Sequence, residues 1–202
     1  MDTVEFYYDY ISPYGYLVNS QLHRSDLPIE FKTITILEVM AQVGNQPSPK
    51  CPPKMAYAMA DTRRWARRYN VPFELNQDWW GAVMGGSLDM KLFAGGALVT
   101  QRDGGFEAYH GAVWEAIWGR PQDVVTRAGR EALLDRIGLP GRAIWDEAAS
   151  PKIIEQVHAN NQRAAARGVF GVPTFFVGDD QFFGNDRLEF VKERAQRVGI
   201  FA

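Results

Sequence analysis

The first 36 residues carry the pattern that constrains the fold most: a strand, a helix and a second strand in close succession. Residues 4–8 are aromatic and β-branched, which predicts a strand. Ser12 and Pro13 then match the preferred cap and first position of a helix, which we expect to run to about residue 24. Residues 29–36 begin with alternating apolar and charged side chains and predict another strand. Such a unit is parallel and right-handed, so the chain builds an α/β sheet.

The end of the chain returns to strands. Residues 172–177 predict a strand, 178–180 a turn, and 181–183 a strand that pairs back on the first. Asp186 and Glu189 have the spacing of a capping box, which predicts that a last helix begins there.

The middle of the chain is helical after a proline-rich loop at residues 47–53. Four segments show helical patterns: 54–69, 106–118, 124–137 and 151–167. The order βαβ, helices, ββα predicts an α/β thioredoxin-like fold interrupted by a large all-helical insertion. We expect residues 1–44 and 168–202 to form the thioredoxin-like domain and residues 45–167 to form the insertion.

Composition narrows the class of protein. Hydrophobic residues make up 46% of 202, enough for a full core, and 22 Lys and Arg against 24 Asp and Glu give a net charge of −2. That balance predicts no nucleic-acid partner, and without a run of about 18 apolar residues we expect no membrane span. The first residues lack a secretory signal, and Cys51 is the one cysteine, which excludes an internal disulfide. These features predict a soluble, cytoplasmic protein.

The start of the first helix is where redox members of a thioredoxin-like fold carry a CxxC pair. This chain has Ser12, Pro13, Tyr14 and Gly15 there, so thiol–disulfide exchange at this position is excluded. What remains is a hydroxyl beside free backbone N–H groups, which is a site for an anion. We expect the anion to be a thiolate that a ligand brings. The alternative is that Ser12 only caps the helix, and the two roles are compatible.

Several motifs, in order along nearly the whole chain, resemble those of 2-hydroxychromene-2-carboxylate isomerases, which are relatives of kappa-class glutathione transferases. They are FYYDYISPYGYL (6–17), GNQP (44–47), Lys54 with DTRRWA (61–66), FEAYH (106–110), GVFGVPT (168–174) and FGNDRL (183–188). The resemblance implies glutathione as cofactor and a homodimer. It also implies that the Ser12 hydroxyl donates a hydrogen bond to the glutathione sulfur. The Val172–Pro173 bond is then expected to be cis and to face Ser12, with the Val172 backbone pairing with the cysteinyl part.

Five further residues are candidates for holding glutathione. Asn185 and Asp186 suit a carboxylate and the γ-glutamyl ammonium, with a purely capping role as the alternative. Lys54 and Asp61 are seven residues apart and share a helix face; Lys54 is expected to meet the glycyl carboxylate. Asp61 either reaches the ligand of a partner subunit or forms a surface ion pair. Asn45 either hydrogen-bonds the ligand or is a turn residue.

The resemblance implies an isomerase that acts on 2-hydroxychromene-2-carboxylate-like aromatic catabolites by reversible thiolate addition to a conjugated double bond. Residues 78–86 and 118–123 depart from the family pattern, so glutathione binding is better supported than this substrate. The alternatives are a kappa-type glutathione transferase or peroxidase acting on an electrophile, and a non-catalytic glutathione-binding module. The three histidines, His23, His110 and His158, lack metal-ligand spacing, so we expect no metal site.

Overall fold

A four-stranded mixed sheet organises the computed structural model, which describes residues 3–200. The strands are β1 (Val4–Tyr8), β2 (Ile29–Thr33), β3 (Thr174–Val177) and β4 (Asp180–Phe183), in the order β2-β1-β3-β4. The β1–β2 pair is parallel, and the β1–β3 and β3–β4 pairs are antiparallel. The end of β1, the start of β3 and the end of β4 therefore lie at the same edge of the sheet.

Ten α-helices lie in this described part of the chain. They are α1 (Pro13–Leu22), α2 (Ile36–Gln42), α3 (Pro52–Tyr69), α4 (Gln77–Met84), α5 (Lys91–Asp103), α6 (Phe106–Trp114), α7 (Arg127–Asp135), α8 (Gly141–Ala148), α9 (Pro151–Ala166) and α10 (Leu188–Arg197). Short 3-10 turns occupy Ser48–Lys50 and Asn185–Arg187, and a π-helical turn occupies Glu115–Gly119. The α/β thioredoxin-like fold with inserted helices is as predicted.

Two compact units divide the chain. The first contains residues up to 71 and from 160 onward, and the second contains residues 72–159. Helix α3 therefore belongs to the unit that holds the sheet. The expected insertion, residues 45–167, describes a different division of the chain and stays a prediction.

Alternation along the strands builds the core of the first unit on both faces of the sheet. On one face the ring of Phe6 stacks on that of Phe175, with centroids 4.8 Å apart. On the other face Tyr7 meets Phe176 edge to face, in a cluster that also includes residues of α2 and α9. Successive strand residues point to opposite faces, so one pair of neighbouring strands serves both layers.

The second strand is shorter than predicted, because the chain turns into a helix that the sequence did not reveal. Residues 29–36 were expected to be extended, yet β2 ends at Thr33 and α2 begins at Ile36. Ile34 and Ile36 are both buried and alternate with Thr33 and Thr35, so the strand-like pattern continues past the residue at which the strand ends. Alternation therefore favours a strand here although the chain turns into a helix.

Aromatic packing dominates the second unit. Trp118 stacks on Phe73 and meets Trp79 edge to face, with centroids 5.9 and 5.7 Å apart. Helices α4, α5 and α8 were not predicted. In α5 the glycines obscured the helical pattern, although a Cβ at Gly95 would lie 2.7 Å from the carbonyl oxygen of Ala148, so glycine permits the close approach of α5 and α8. Within residues 3–200, no helix is both long and apolar enough to cross a membrane.

Candidate active site

The start of α1 is capped by the side chain of Ser12. Its Oγ accepts a hydrogen bond from the N–H of Gly15 at 3.1 Å, and its carbonyl oxygen accepts one from Tyr16. Pro13 has no N–H to satisfy. The Tyr14 N–H has no acceptor among the described residues, so it is the first-turn donor left for another group. The capping role of Ser12 is confirmed, and its role toward a thiolate stays a prediction.

Ser12 faces the loop before β3. Its Oγ donates a long hydrogen bond of 3.3 Å to the carbonyl oxygen of Val172, and the Val172–Pro173 peptide bond is cis, as predicted. Two of the predicted site residues, 160 positions apart in sequence, are thus in direct contact. Because the bond is longer than is usual for a hydroxyl donor, a stronger acceptor placed nearby would compete for the proton.

The segment after β4 closes a second side of this region. The Gly184 N–H donates to the carbonyl oxygen of Pro173 at 3.0 Å, which brings Asn185 and Asp186 to the same sheet edge. Asn185 is buried, and its side-chain Nδ2 has no hydrogen-bond partner within the part of the chain that the structure describes. Asp186 is exposed and pairs with Arg187. The predicted capping box is wrong, because α10 begins after a 3-10 turn and neither element has a side-chain cap.

Tyr14 adds a contact that sequence reasoning missed. Its hydroxyl donates to Oδ2 of Asp61 at 3.1 Å, and Asp61 also faces Arg64 across one turn of α3. Burial and the Asp61 carboxylate raise the pKa of Tyr14 well above its usual range, and the charge of Asp186 adds to the shift. Tyr14 therefore lies within electrostatic range of both carboxylates. The Asp61 ion pair with Arg64 is present, and a role toward a ligand stays a prediction.

Asn45 and Lys54 are placed differently from those residues. Asn45 accepts from the N–H of Gln46 and donates through Nδ2 to the carbonyl oxygen of Phe170 at 2.7 Å, so it is a turn residue that also ties its loop to the segment before Val172. Lys54 is exposed and, among residues 3–200, forms no hydrogen bond or ion pair. No hydrogen bond or ion pair within residues 3–200 links it to the other predicted residues, and its ligand role stays a prediction.

Asp9 is a second residue that the sequence did not single out. It follows β1, is buried, and accepts hydrogen bonds from the N–H groups of Ile11 and Ile36. Burial raises the pKa of Asp9 to about 7, although both N–H groups oppose the shift. No sequence signal near Asp9 indicates this environment, because Ile36 is 27 residues away.

The remaining candidates lie outside this arrangement. Cys51 is exposed and precedes α3. His110 is buried and accepts a hydrogen bond from the indole of Trp114 at 3.1 Å, which is a core contact of the second unit. No group of three or more metal-ligating side chains is arranged to hold an ion in the described segment 3–200.

Comparison with known proteins gives consistent results along the chain. The family model of the DSBA-like thioredoxin domain matches residues 3–196. A 2-hydroxychromene-2-carboxylate isomerase of Sphingobium xenophagum is 32% identical, over 94% of this chain and 96% of its own length. The human glutathione S-transferase kappa 1 is 25% identical, over 93% of this chain and 88% of its own.

A solved structure shows the same architecture. A 2-hydroxychromene-2-carboxylate isomerase superposes with a TM-score of 0.83 at 25% sequence identity, covering 97% of this chain and 95% of the other. The predicted resemblance to this isomerase family and to kappa-class transferases is confirmed.

Proposed function

Because the chain belongs to the family of DSBA-like thioredoxin domains but has Ser12 at the start of α1, we propose that it is a glutathione-dependent isomerase. Its substrate class is an aromatic compound with a conjugated double bond, such as a 2-hydroxychromene-2-carboxylate. The observation that carries the proposal is the contact between the Ser12 hydroxyl and the carbonyl oxygen of Val172 beside the cis Pro173. The similarity to named isomerases over nearly the full length supports the substrate class.

The donors at the site fit glutathione. The tripeptide presents a thiol, two carboxylates and an ammonium group. The Tyr14 N–H and the Ser12 hydroxyl suit a thiolate, and the unpaired Nδ2 of buried Asn185 suits a carboxylate. The exposed carboxylate of Asp186 suits the ammonium. An unpaired buried amide is costly to retain in a protein, and an acceptor on a ligand would satisfy it.

Ser12 and the helix N-terminus are sufficient to lower the pKa of the glutathione thiol without a metal or a lysine. A thiol with a pKa of about 8.5 is only about 3% thiolate at pH 7. Lowering the pKa by about two units requires about 2.7 kcal/mol. A hydrogen bond to a charged group supplies about 1.5–3 kcal/mol, and a helix N-terminus adds about 0.3–2 kcal/mol. Ser12 and the first turn of α1 together meet this requirement.

Glutathione, when bound, supplies a nucleophilic sulfur whose reversible addition makes a conjugated double bond single and free to rotate. The chain's own residues hold and orient the reactants. Ser12 turns its hydroxyl from Val172 toward the sulfur, and the Tyr14 N–H adds a second donor there. Pro173 and Gly184 fix the loop that positions Asn185 and Asp186.

Turnover of the chromene substrate with and without glutathione tests this function. We expect the protein to isomerise the substrate only when glutathione is present, and the amount of glutathione to stay constant. Ser12→Ala should lower turnover about 10- to 150-fold, the equivalent of a charged hydrogen bond. Ser25→Ala, which removes a hydroxyl bonded to the carbonyl oxygen of Leu22 at the far end of α1, is the control and should retain activity. Equal turnover without glutathione, or none in either case, would contradict the proposal.

The second candidate function is a kappa-type glutathione transferase or peroxidase, which the 25% identity to the human kappa enzyme favours. The thiolate site is the same in both candidates, and the fate of glutathione separates them. An aryl halide electrophile would yield an accumulating conjugate with a transferase and none with an isomerase. Calorimetric binding of glutathione without activity on a panel of electrophiles would indicate a non-catalytic module instead.

The proposal includes a homodimer in the cytoplasm. Full-length similarity to glutathione transferases and a single cysteine support these two parts. Sedimentation equilibrium of the purified protein tests the homodimer, since a monomer mass of 22.8 kDa at micromolar concentration would contradict it. Cell fractionation tests the second.

A further inference from the structure

Asp9 is a buried carboxyl group that the proposed mechanism does not use. It lies between the end of β1 and the start of α1 and is 2% exposed. Burying a carboxylate is costly unless hydrogen bonds compensate for the lost water, so the hydrogen bonds of Asp9 indicate its role.

One oxygen of Asp9 shapes the turn that presents Ser12. Oδ1 accepts from the N–H of Ile11 at 3.1 Å, and the Asp9 main-chain carbonyl accepts from the N–H of Ser12 at 3.0 Å. Side chain and backbone together therefore fix residues 9–12.

The other oxygen of Asp9 holds a different segment. Oδ2 accepts from the N–H of Ile36, the first residue of α2, at 2.7 Å. Thr35, the residue before α2, makes no side-chain cap of its own. Asp9 thus caps α2 from outside the helix.

Helix α2 leads back to the same site. Just beyond its C-terminal end, the N–H of Asn45 donates to the carbonyl oxygen of Met40, and the Asn45 side chain donates to that of Phe170. Phe170 is two residues before Val172, the acceptor of the Ser12 hydroxyl. Asp9 therefore holds one partner of the Ser12–Val172 contact directly, through the turn that ends at Ser12, and it caps the helix whose far end is tied to the segment before Val172.

We propose that Asp9 is a positioning residue, whose two carboxyl oxygens hold the Ser12 turn and the start of α2 in a fixed relation and so align the thiolate donors with the segment before Val172. The catalytic part of this inference rests on the proposed function. An asparagine has the same shape but offers one acceptor oxygen instead of two, so it satisfies only one of the two N–H groups. Burial raises the pKa of Asp9 because it disfavours the charged form, while the N–H groups of Ile11 and Ile36 oppose that shift.

The variant Asp9→Asn tests the role, with Asp26→Asn, an exposed aspartate of the same unit, as the control. The readout is the titration midpoint of the glutathione thiol bound to each full-length protein, followed by thiolate absorbance. Removing a nearby negative charge would by itself lower this midpoint. Loss of positioning raises it, and we expect a rise of about one pH unit, or about tenfold less thiolate at neutral pH. A midpoint that is unchanged or lower would overturn the proposal.

A second readout needs no glutathione. Amide NMR resonances of Ser12 and Asn45 should both move in Asp9→Asn and stay in place in Asp26→Asn. Movement at only one of them, or at neither, would overturn the positioning role even if glutathione binds.

If Asp9→Asn does not fold, the Ile11 and Ile36 amides of the unmodified chain should titrate with the Asp9 carboxyl, and separate midpoints would contradict the link. Within the described residues, burial raises the pKa of Asp9 and these two N–H groups lower it. Failure of glutathione to bind the unmodified chain would reject the proposed function, while the resonances still decide the role of Asp9.

Discussion

Two asparagines, each 4% exposed, one in each unit, differ in whether the chain satisfies their buried amide groups. In the second unit, Asn76 accepts from the Trp79 N–H and donates to the carbonyl oxygens of Ala116 and Gln122, at 2.7–3.1 Å. In the first unit, the Nδ2 of Asn185 has no partner in the described chain. A saturated amide holds backbone segments together, whereas an unsatisfied one is a cost that a ligand can remove. The comparison supports the proposal that Asn76 has a structural role and that Asn185 takes part in ligand binding.

The largest expected effect concerns the cost of the buried charge in the first unit. Burial raises the pKa of Asp9 to about 7, from an ordinary value of about 4. The folded chain therefore binds this proton more tightly than the unfolded chain. Its contribution to the free energy of unfolding falls as the pH rises from about 4 to about 7, by up to about 1.4 kcal/mol per pH unit.

Urea denaturation of the unmodified chain and of Asp9→Asn across this pH range measures that contribution. As the pH rises from about 4 to about 7, the free energy of unfolding of Asp9→Asn should increase relative to that of the unmodified chain. A constant difference from pH 4 to pH 8 would show that Asp9 titrates normally.

The next effect is at the saturated amide. Asn76→Ala removes three hydrogen bonds and leaves the buried carbonyl oxygen of Ala116 and the partly buried one of Gln122 without this donor. We expect a loss of about 3 kcal/mol in the free energy of unfolding, at about 1 kcal/mol for each bond. Chemical denaturation measures the loss. The glutathione affinity of the folded protein should be unchanged, and a loss below 1 kcal/mol would break the contrast between the two asparagines.

The smallest effect on stability is expected at the unpaired amide. Asn185→Ala removes an Nδ2 group that makes no bond in the chain, so we expect a change of about 1 kcal/mol or less. Glutathione affinity should fall about tenfold, because a carboxylate would lose its donor. Calorimetry and denaturation on the same variant give both values. Undiminished affinity together with a large loss of stability would reverse the assignment.

The sequence predicted those parts of the site that depend on local rules. A serine before a proline is a local signal for a helix start, and α1 begins where it indicates. The motif around Pro173 carried the family's cis bond, which the structure contains. The thioredoxin-like order of strands followed from patterns at the two ends of the chain.

The remaining features depend on contacts between distant segments. Tyr14 and Asp61 are 47 residues apart, and Asp9 and Ile36 are 27 apart, so no periodicity links either pair. Helix α5 was hidden because its glycines weaken helix propensity while allowing α8 to approach closely. The sequence identifies Asn185 only as a residue at the start of a helix. That its side chain is buried and its Nδ2 unpaired depends on the folded structure.

The most direct test of the central claim is the titration of glutathione labelled at the cysteinyl β-carbon while it is bound to the protein, followed by ¹³C NMR. The account predicts a midpoint about two pH units below the free value of about 8.5, and a return of at least one unit toward that value in Ser12→Ala. A bound thiol that titrates at its free value, or a lowered midpoint that the Ser12→Ala change leaves in place, would contradict it.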